Sequence, residues 1–357
     1  MATFTGQLRS NEIFSALYNM IISQEVFADN LGEHQTLVDK ARVDGSLYGD
    51  TKLYYSTDVL KSAPWGADNE AANLLALHRP EAPKCQAIHL DVFRQICLTV
   101  DNYLSKRAWA NEGTFSAFNG VMLGWMRETK RVYDGTLYNV FLGTTVSPKA
   151  AQNREIPVKG LTDAKEEAMV IAKELADLLV EMGDYSREFN DNEFLRSYAK
   201  EGIKVVWNSK FVNKIRKIDL PTIFHKDGLV DKFDEEVLPS RYFGTKNAAK
   251  VVAGSNDGTY RSVIEKTYVK SSVETHVFPG DLIPAGVEIA AGEGYKVDED
   301  IICKIVVKLP PFMSAFEVGT SFFNPRSLTE NHYLTFGHNT LVALKNYPFV
   351  TLRASAE

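Results

Sequence analysis

Cysteine, basic charge and long apolar runs are all scarce in this chain, and each shortage removes a class of function. The three cysteines, Cys85, Cys97 and Cys303, are odd in number and form no Cys-x-x-Cys pair, which argues against a disulfide framework and fits a reducing compartment. The 40 Lys+Arg against 46 Asp+Glu leave a net charge of −6, whereas domains that grip nucleic-acid phosphates carry a basic excess. The greasiest stretch, within residues 115–126, is about a dozen residues long where a membrane helix needs about 20. The opening MATFTGQLRSNEIF lacks a basic region followed by an apolar core and cleavage site, so no secretory signal is expected. Catalytic signatures are missing as well: there is no G-x-S-x-G elbow, H-E-x-x-H pair, phosphate-binding loop, dinucleotide fingerprint or kinase set. Nor is there a repeat of solenoid period or a low-complexity segment.

What is present is a globular chain. Its 357 residues are 45% hydrophobic, enough for a sizeable core in two or three compact units. Ile13, Phe14, Leu17, Met20 and Ile21 predict a short amphipathic helix in an N-terminal arm. From Gly45 the pattern becomes β. Ile88, Leu90, Val92, Ile96, Leu98 and Val100 share one parity, interrupted by Arg94, with His89, Asp91, Gln95 and Thr99 on the other. At about 3.3 Å per residue this run reaches roughly 43 Å, longer than most strands. It predicts either a bulge near Arg94 or a long hairpin arm with GDTKLYYSTDVL, joined through an irregular tip with a helical turn near Asn69 to Leu77.

Helix follows. FSAFNGVMLGWMRETKRVYD (Phe115 to Asp134) carries a stripe of Phe118, Met122 and Trp125. Gly120 and Gly124, each costing about 1 kcal/mol relative to alanine, predict a strand crossing close to the backbone. The greasy first half is expected to be buried and the polar Arg127 to Arg131 run to face outward. A second helix opens on Asp163 with Glu166 three residues on, shows Ala168, Ala172, Leu175, Leu179 and Met182 on one face, and stops at Gly183. GIKVVW reads as a buried strand, SKFVNKIRK as an amphipathic helix with Phe211, Ile215 and Ile218 inward, DLPTIFHKDG as a loop, IICKIVVKL as a strand, and HNTLVALKNYPFVTLRA as a pair broken near Pro348. The class is α+β.

Chemistry-bearing clusters are sparse. His78, Cys85, His89 and Asp91 are zinc-ligand types in LHRPEAPKCQAIHLD, but their spacing matches no common structural-zinc pattern, and solvated or interface roles are the simpler reading. The acidic runs Asp234-Glu235-Glu236 and Asp298-Glu299-Asp300 read as solvated turns and element ends, and AGSNDGTY and AAGEGYK as turns.

The order of these parts resembles the major capsid proteins of tailed bacteriophages, whose Hong Kong-type fold encapsulins share. GDTKLYYSTDVL with AIHLDVFRQICLTVDNYLSKRA resembles the extended loop, NEGTFSAFNGVMLGWMRETKRVYDGTLYNVFLGT the spine helix, and EGIKVVWNSKFVNKIRKIDLPTIF the axial domain. The resemblance implies an N-terminal arm over 1–44, an extended β-hairpin loop over 45–100, a peripheral domain with the spine helix over 101–150, an axial domain over 151–300 and a return to the peripheral domain over 301–357. It implies a non-enzymatic subunit without cofactor or metal, self-assembling into hexamers and pentamers of an icosahedral shell around double-stranded DNA. The expected location is the virion capsid after synthesis in the host bacterial cytoplasm, with no membrane contact. Subunit-interface or packing residues are expected at Leu53, Tyr55, Trp65, Ile88, Leu90, Val92, Phe118, Gly124 and Trp125. Only some forty residues precede the hairpin, so the resemblance implies either a separate scaffolding protein or a longer precursor that is trimmed; a portal and, in some shells, a cement protein are further expected partners. Lys52, Lys61 and Lys84 are candidates by location for the loop lysine that some members join to a neighbouring asparagine. The alternatives are an encapsulin-type compartment and a metal-dependent α+β enzyme using His78, His89 and a carboxylate.

Overall fold

The computed structural model describes residues 37–45, 51–62, 77, 79–101, 112–216, 234–254, 256 and 258–356, with backbone only at 112–119, 122, 123 and 316. The expected helix at Ile13 to Ile21, the tip with its turn near Asn69 to Leu77 and the loop after Lys217 lie wholly or mostly outside the described residues.

In chain order the main elements begin with α1 (Leu37–Ala41), β1 (Arg42–Asp44), β2 (Lys52–Ser56), β3 (Lys84–Ile88), β4 (Leu90–Asp101) and α2 (Glu112–Thr144). Then come β5 (Asn153–Pro157), α3 (Ala164–Gly183), β6 (Lys204–Asn208), α4 (Ser209–Arg216) and β7 (Asp234–Leu238). Seven short strands follow: β8 (Gly244–Lys246), β9 (Val251–Val252), β10 (Arg261–Ser262), β11 (Lys266–Lys270), β12 (Val273–Val277), β13 (Glu288–Ile289) and β14 (Gly294–Val297). The chain closes with β15 (Ile301–Val306), β16 (Phe312–Asn324), β17 (Thr329–Asn339) and β18 (Phe349–Ser355).

A mixed five-stranded sheet, ordered β5-β18-β15-β6-β7, forms the larger core. Its central strands read as nearly unbroken apolar runs because both faces are covered. From β6, Val205 and Trp207 pack against α3, while Val206 faces the opposite core. The α3 stripe of Ala168, Ile171, Ala172, Leu175, Leu178, Leu179 and Met182 is buried on that sheet, and Asp163 caps the helix by accepting from the Lys165 N–H at 3.0 Å. Gly183 is the last helical residue, and Asp184 leaves in extended conformation (φ −87°), so no left-handed glycine is needed here.

The second sheet, β1-β16-β17-β4, lies across the spine helix α2 from the first. Tyr133, Leu137, Tyr138, Phe141 and Leu142 form the wedge between them, touching Phe312 and Phe336 from one sheet and Val206, Val306 and Phe349 from the other. The Tyr138 hydroxyl donates to Pro310 O at 2.7 Å, and its ring meets Phe312 edge-on. A third, smaller core of Ala253, Tyr260, Tyr268, Val277, Ile283, Val287 and Ile289 holds the short strands between β8 and β14.

Several expectations are corrected. The alternating run from Ile88 to Val100 is not one arm: the chain leaves one sheet at His89, so that β3 pairs with β2 while β4 pairs antiparallel with β17. Alternation specifies a two-faced strand but carries no information about its partner, which here lies more than 200 residues away. The irregularity sits at Leu90/Val92, opposite His338/Asn339, and not at Arg94. Residues 301–357 do not return as a unit. β16 and β17 join the spine-helix sheet, but β15 and β18 complete the sheet that carries α3 and α4. Most side chains of the greasy half lie outside the described residues; of those described, Trp125 is exposed and Met126 buried, and burial concentrates from Lys130 to Thr144. A Cβ at Gly120 or Gly124 would meet nothing within 4 Å, so no described strand crosses there. The close approach is at Gly143, whose Cβ would run into the Tyr242 carbonyl.

Candidate assembly surface

The β2–β3 hairpin sorts its side chains by strand parity. Leu53 pairs with Ala87 and Tyr55 with Cys85, and this face is open: Leu53 is 51% and Tyr55 65% exposed. The opposite face is tied to the body. Gln86 Nε2 donates to Ala343 O at 3.0 Å and its Oε1 accepts from Lys345 N at 2.9 Å. Lys84 Nζ donates to Asn192 O at 3.0 Å, Asn192 Nδ2 donates to Ser56 Oγ at 3.1 Å, and Lys308 lies 5.4 Å over the Tyr54 ring.

Asp58, just past β2, anchors the loop end of the hairpin. It accepts from the Leu195 N–H at 2.9 Å and from Arg187 at 2.6 Å. The backbone donor first and the guanidinium second hold its carboxyl down at about 2. A depressed carboxylate helps while ionised, so this anchor holds above the ordinary carboxylate range and is lost as pH falls through about 2. Asp58→Ala is predicted to speed amide exchange several-fold at Leu195 and in β2, read by hydrogen-exchange mass spectrometry; unchanged exchange would mean that the other ties suffice.

The nine residues expected at interfaces or in packing fall into separate environments. Leu53 and Tyr55 share the open hairpin face, and Trp125 is 54% exposed on the spine helix. Ile88 is only 3% exposed; Leu90 and Val92 are half-buried on β4, Val92 opposite the buried His338 and Leu90, beyond the irregularity, beside Phe93 against Gly337. Gly124 stands in open space. Trp65 and the Phe118 side chain lie outside what the structure describes.

His78 lies outside the described residues, and the other candidate metal ligands are separately engaged. His89 Nδ1 is 3.0 Å from Thr51 Oγ1, and Asp91 accepts from Thr340 N and Oγ1 at 2.6 and 2.7 Å. Among the described residues no group of three His, Cys, Asp or Glu could hold a metal ion. The acidic runs are spent on ion pairs: Asp298 with Arg353 and Asp300 with Lys159, both at 2.6 Å, Glu299 with Lys210, and Asp234 with Lys40 and Lys204. Lys84 is engaged as above, and Lys61 stands exposed 3.6 Å from Glu81.

Sequence reasoning missed a polar seam beneath the four-stranded sheet. Arg94 pairs with Glu265 at 3.0 Å and lies 5.0 Å over the Tyr133 ring. The Tyr133 hydroxyl meets His338 Nε2 at 2.8 Å while His338 Nδ1 meets Asn339 O at 2.9 Å. Because a carbonyl can only accept, Nδ1 carries the proton and Nε2 accepts from the tyrosine. Burial pushes the Tyr133 phenol up to about 12 and lowers the His338 imidazole, keeping both neutral. Lys130 pairs with Asp134 at 2.9 Å, and Arg42 reaches the same carboxylate at 3.3 Å. The signal was Arg94 itself, a charge on the apolar parity of its strand. The seam ties spine helix, sheet and third core together, and every partner in it is structural.

No family model and no curated protein sequence matches the chain. Solved structures do. The capsid structure of Staphylococcus phage Andhra superposes with a TM-score of 0.62 at 8% identity, over 93% of this chain and 87% of that one. The fold is that of a tailed-phage capsid protein. A structure of the head fiber and inner core protein of native bacteriophage P68 matches at a TM-score of 0.54 and 9% identity, over 92% of this chain and 90% of that one. At such identities few side chains are shared, and the likeness is one of fold.

Proposed function

We propose that the chain is the major capsid (head) protein of a tailed double-stranded DNA bacteriophage, a structural subunit that assembles as hexamers and pentamers into an icosahedral shell around the genome. The observation that carries this reading is the capsid fold over 93% of the chain together with a hairpin fastened on one face and apolar on the other. Leu53 and Tyr55 side by side in water are costly for a monomer and natural at a contact between copies. In this reading the sheet with α3 and α4 is the axial domain, and the sheet under the spine helix is the peripheral domain. The acidic balance suits a wall that encloses DNA without gripping it. A scaffolding protein, a portal and a cement protein are the partners expected of such a shell, which belongs to the virion and is built in the host cytoplasm.

Negative-stain microscopy of the expressed chain, with and without a co-expressed scaffold, tests this directly. Closed shells or capsomer rings are the expected result. A stable monomer at micromolar concentration in varied salt, with scaffold present, would overturn it, and shells carrying an enzyme cargo would mark a compartment in place of a phage head.

A further inference from the structure

We infer that Lys304 is a proton-operated tie between the end of the spine helix and the five-stranded sheet, secure when its amine is neutral and strained when the amine is charged. This rests on the subunit's own interior and is independent of the capsid reading. Lys304 sits in the middle of β15, opposite Thr351 of β18 and Val206 of β6, and is 0% exposed. Its Nζ donates to Thr145 O at 2.9 Å, just past the last turn of the spine helix, and to Thr351 Oγ1 at 2.8 Å. The Phe349 ring lies 5.9 Å away.

Both acceptors are neutral. A neutral amine has two N–H groups, and among the described residues it finds two acceptors; an ammonium has a third donor and a charge to satisfy. The helix-end carbonyl and the aromatic face favour the charged form, but burial without a carboxylate partner opposes it more strongly. Charged and titratable neighbours are accounted for. Cys303 precedes it on β15 and packs into the opposite core, Arg353 of β18 is held by Asp298, and Lys204 of β6 is held by Asp234. The spine helix has no basic residue in its last turn. Beyond Thr145, Lys246, Asp191 and Lys345 line an adjoining groove of about 590 Å³. Burial brings the Lys304 amine down to about 7, consistent with the hydrogen-bond arithmetic.

The sign follows. An unfolded lysine holds its proton up to about pH 10.4, so unfolding takes up a proton throughout the interval above the folded value. Stability therefore rises with pH across that interval and is lowest below it, where the charged amine is buried. The test compares denaturant unfolding of the wild-type chain with Lys304→Met and Lys304→Gln, the latter keeping two neutral donors, between about pH 7.5 and about pH 9.5. The wild-type folding constant, divided by that of either variant, should rise by close to tenfold per pH unit, the signature of one linked proton. This ratio removes Cys303, Lys246 and the exposed thiols, and His338 is already neutral in the window. Parallel profiles would overturn the inference. If the variants do not fold, Lys246→Gln labelled with carbon-13 at lysine Cε leaves Lys304 in place: one Cε resonance should titrate near neutral pH, and none doing so would sink the idea.

Discussion

Gly143→Ala should destabilise the subunit by about 3 kcal/mol, the upper end for overpacking. The same exchange at an open helical site gains about 1 kcal/mol in helix propensity. The difference is what each Cβ meets. At Gly143 the new atom collides with the Tyr242 carbonyl oxygen and comes within 2.7 Å of its carbon. That backbone has nowhere to go, because Tyr242 N donates to Pro239 O and Phe243 N to Ser240 O, both at 3.1 Å, and both rings are buried. Backbone against backbone cannot be relieved by a rotamer, so the spine helix must shift within a close-packed wedge. Gly124→Ala is the matched control. Its Cβ meets nothing, so it should be neutral or stabilising by up to about 1 kcal/mol. Urea unfolding of the two variants reads the contrast, and equal losses at both positions would mean that the helix register is wrong.

Leu53→Asp and Tyr55→Asp, together, should abolish particles and leave the subunit folded. Both side chains point away from the anchored face of the hairpin, so their loss should change unfolding free energy by no more than about 0.5 kcal/mol, as for exposed sites generally. At an interface, anchors of this kind are worth about 2 kcal/mol or more each, and every subunit in a shell carries the change. Light scattering and microscopy would report assembly, circular dichroism the fold. Leu90→Asp, which from the sequence was the natural choice for this experiment, is expected to lower stability as well, because its side chain is half-buried in the β4–β17 pairing. Its side chain lies against Gly337 of β17, 3.2 Å from where a Cβ there would stand. If the hairpin variants lost as much stability as Leu90→Asp, the hairpin face would belong to a core and the shell reading would lose its contact surface.

These cases show where local pattern stops being informative. The α3 helix could be read from Asp163 to Gly183 because its cap, its stripe and its end all lie within twenty residues of one another. The β11–β12 hairpin could not. Its turn is Ser271-Ser272, both left-handed at φ 49° and 66°, where the usual marker is Asn-Gly. Of the residues singled out under the resemblance, Leu53 and Tyr55 stand on the open hairpin face, Ile88 is buried, and Leu90 and Val92 are half-buried.

By itself the sequence determined the α+β class, the spine helix and α3, the buried strand at Val205 to Trp207, the absence of a recognisable catalytic motif and the order of parts that resembles a capsid protein. All but the last, which is a resemblance, are written in composition, periodicity or spacing over short separations. Only the tertiary structure decided that β4 pairs with β17, that β18 returns to the sheet of β6, that Gly143 and not Gly124 is the glycine the helix requires, and that Lys304 lies buried between neutral acceptors. Those are facts about which distant segments meet, and a single side chain's pattern is the same whichever partner it finds.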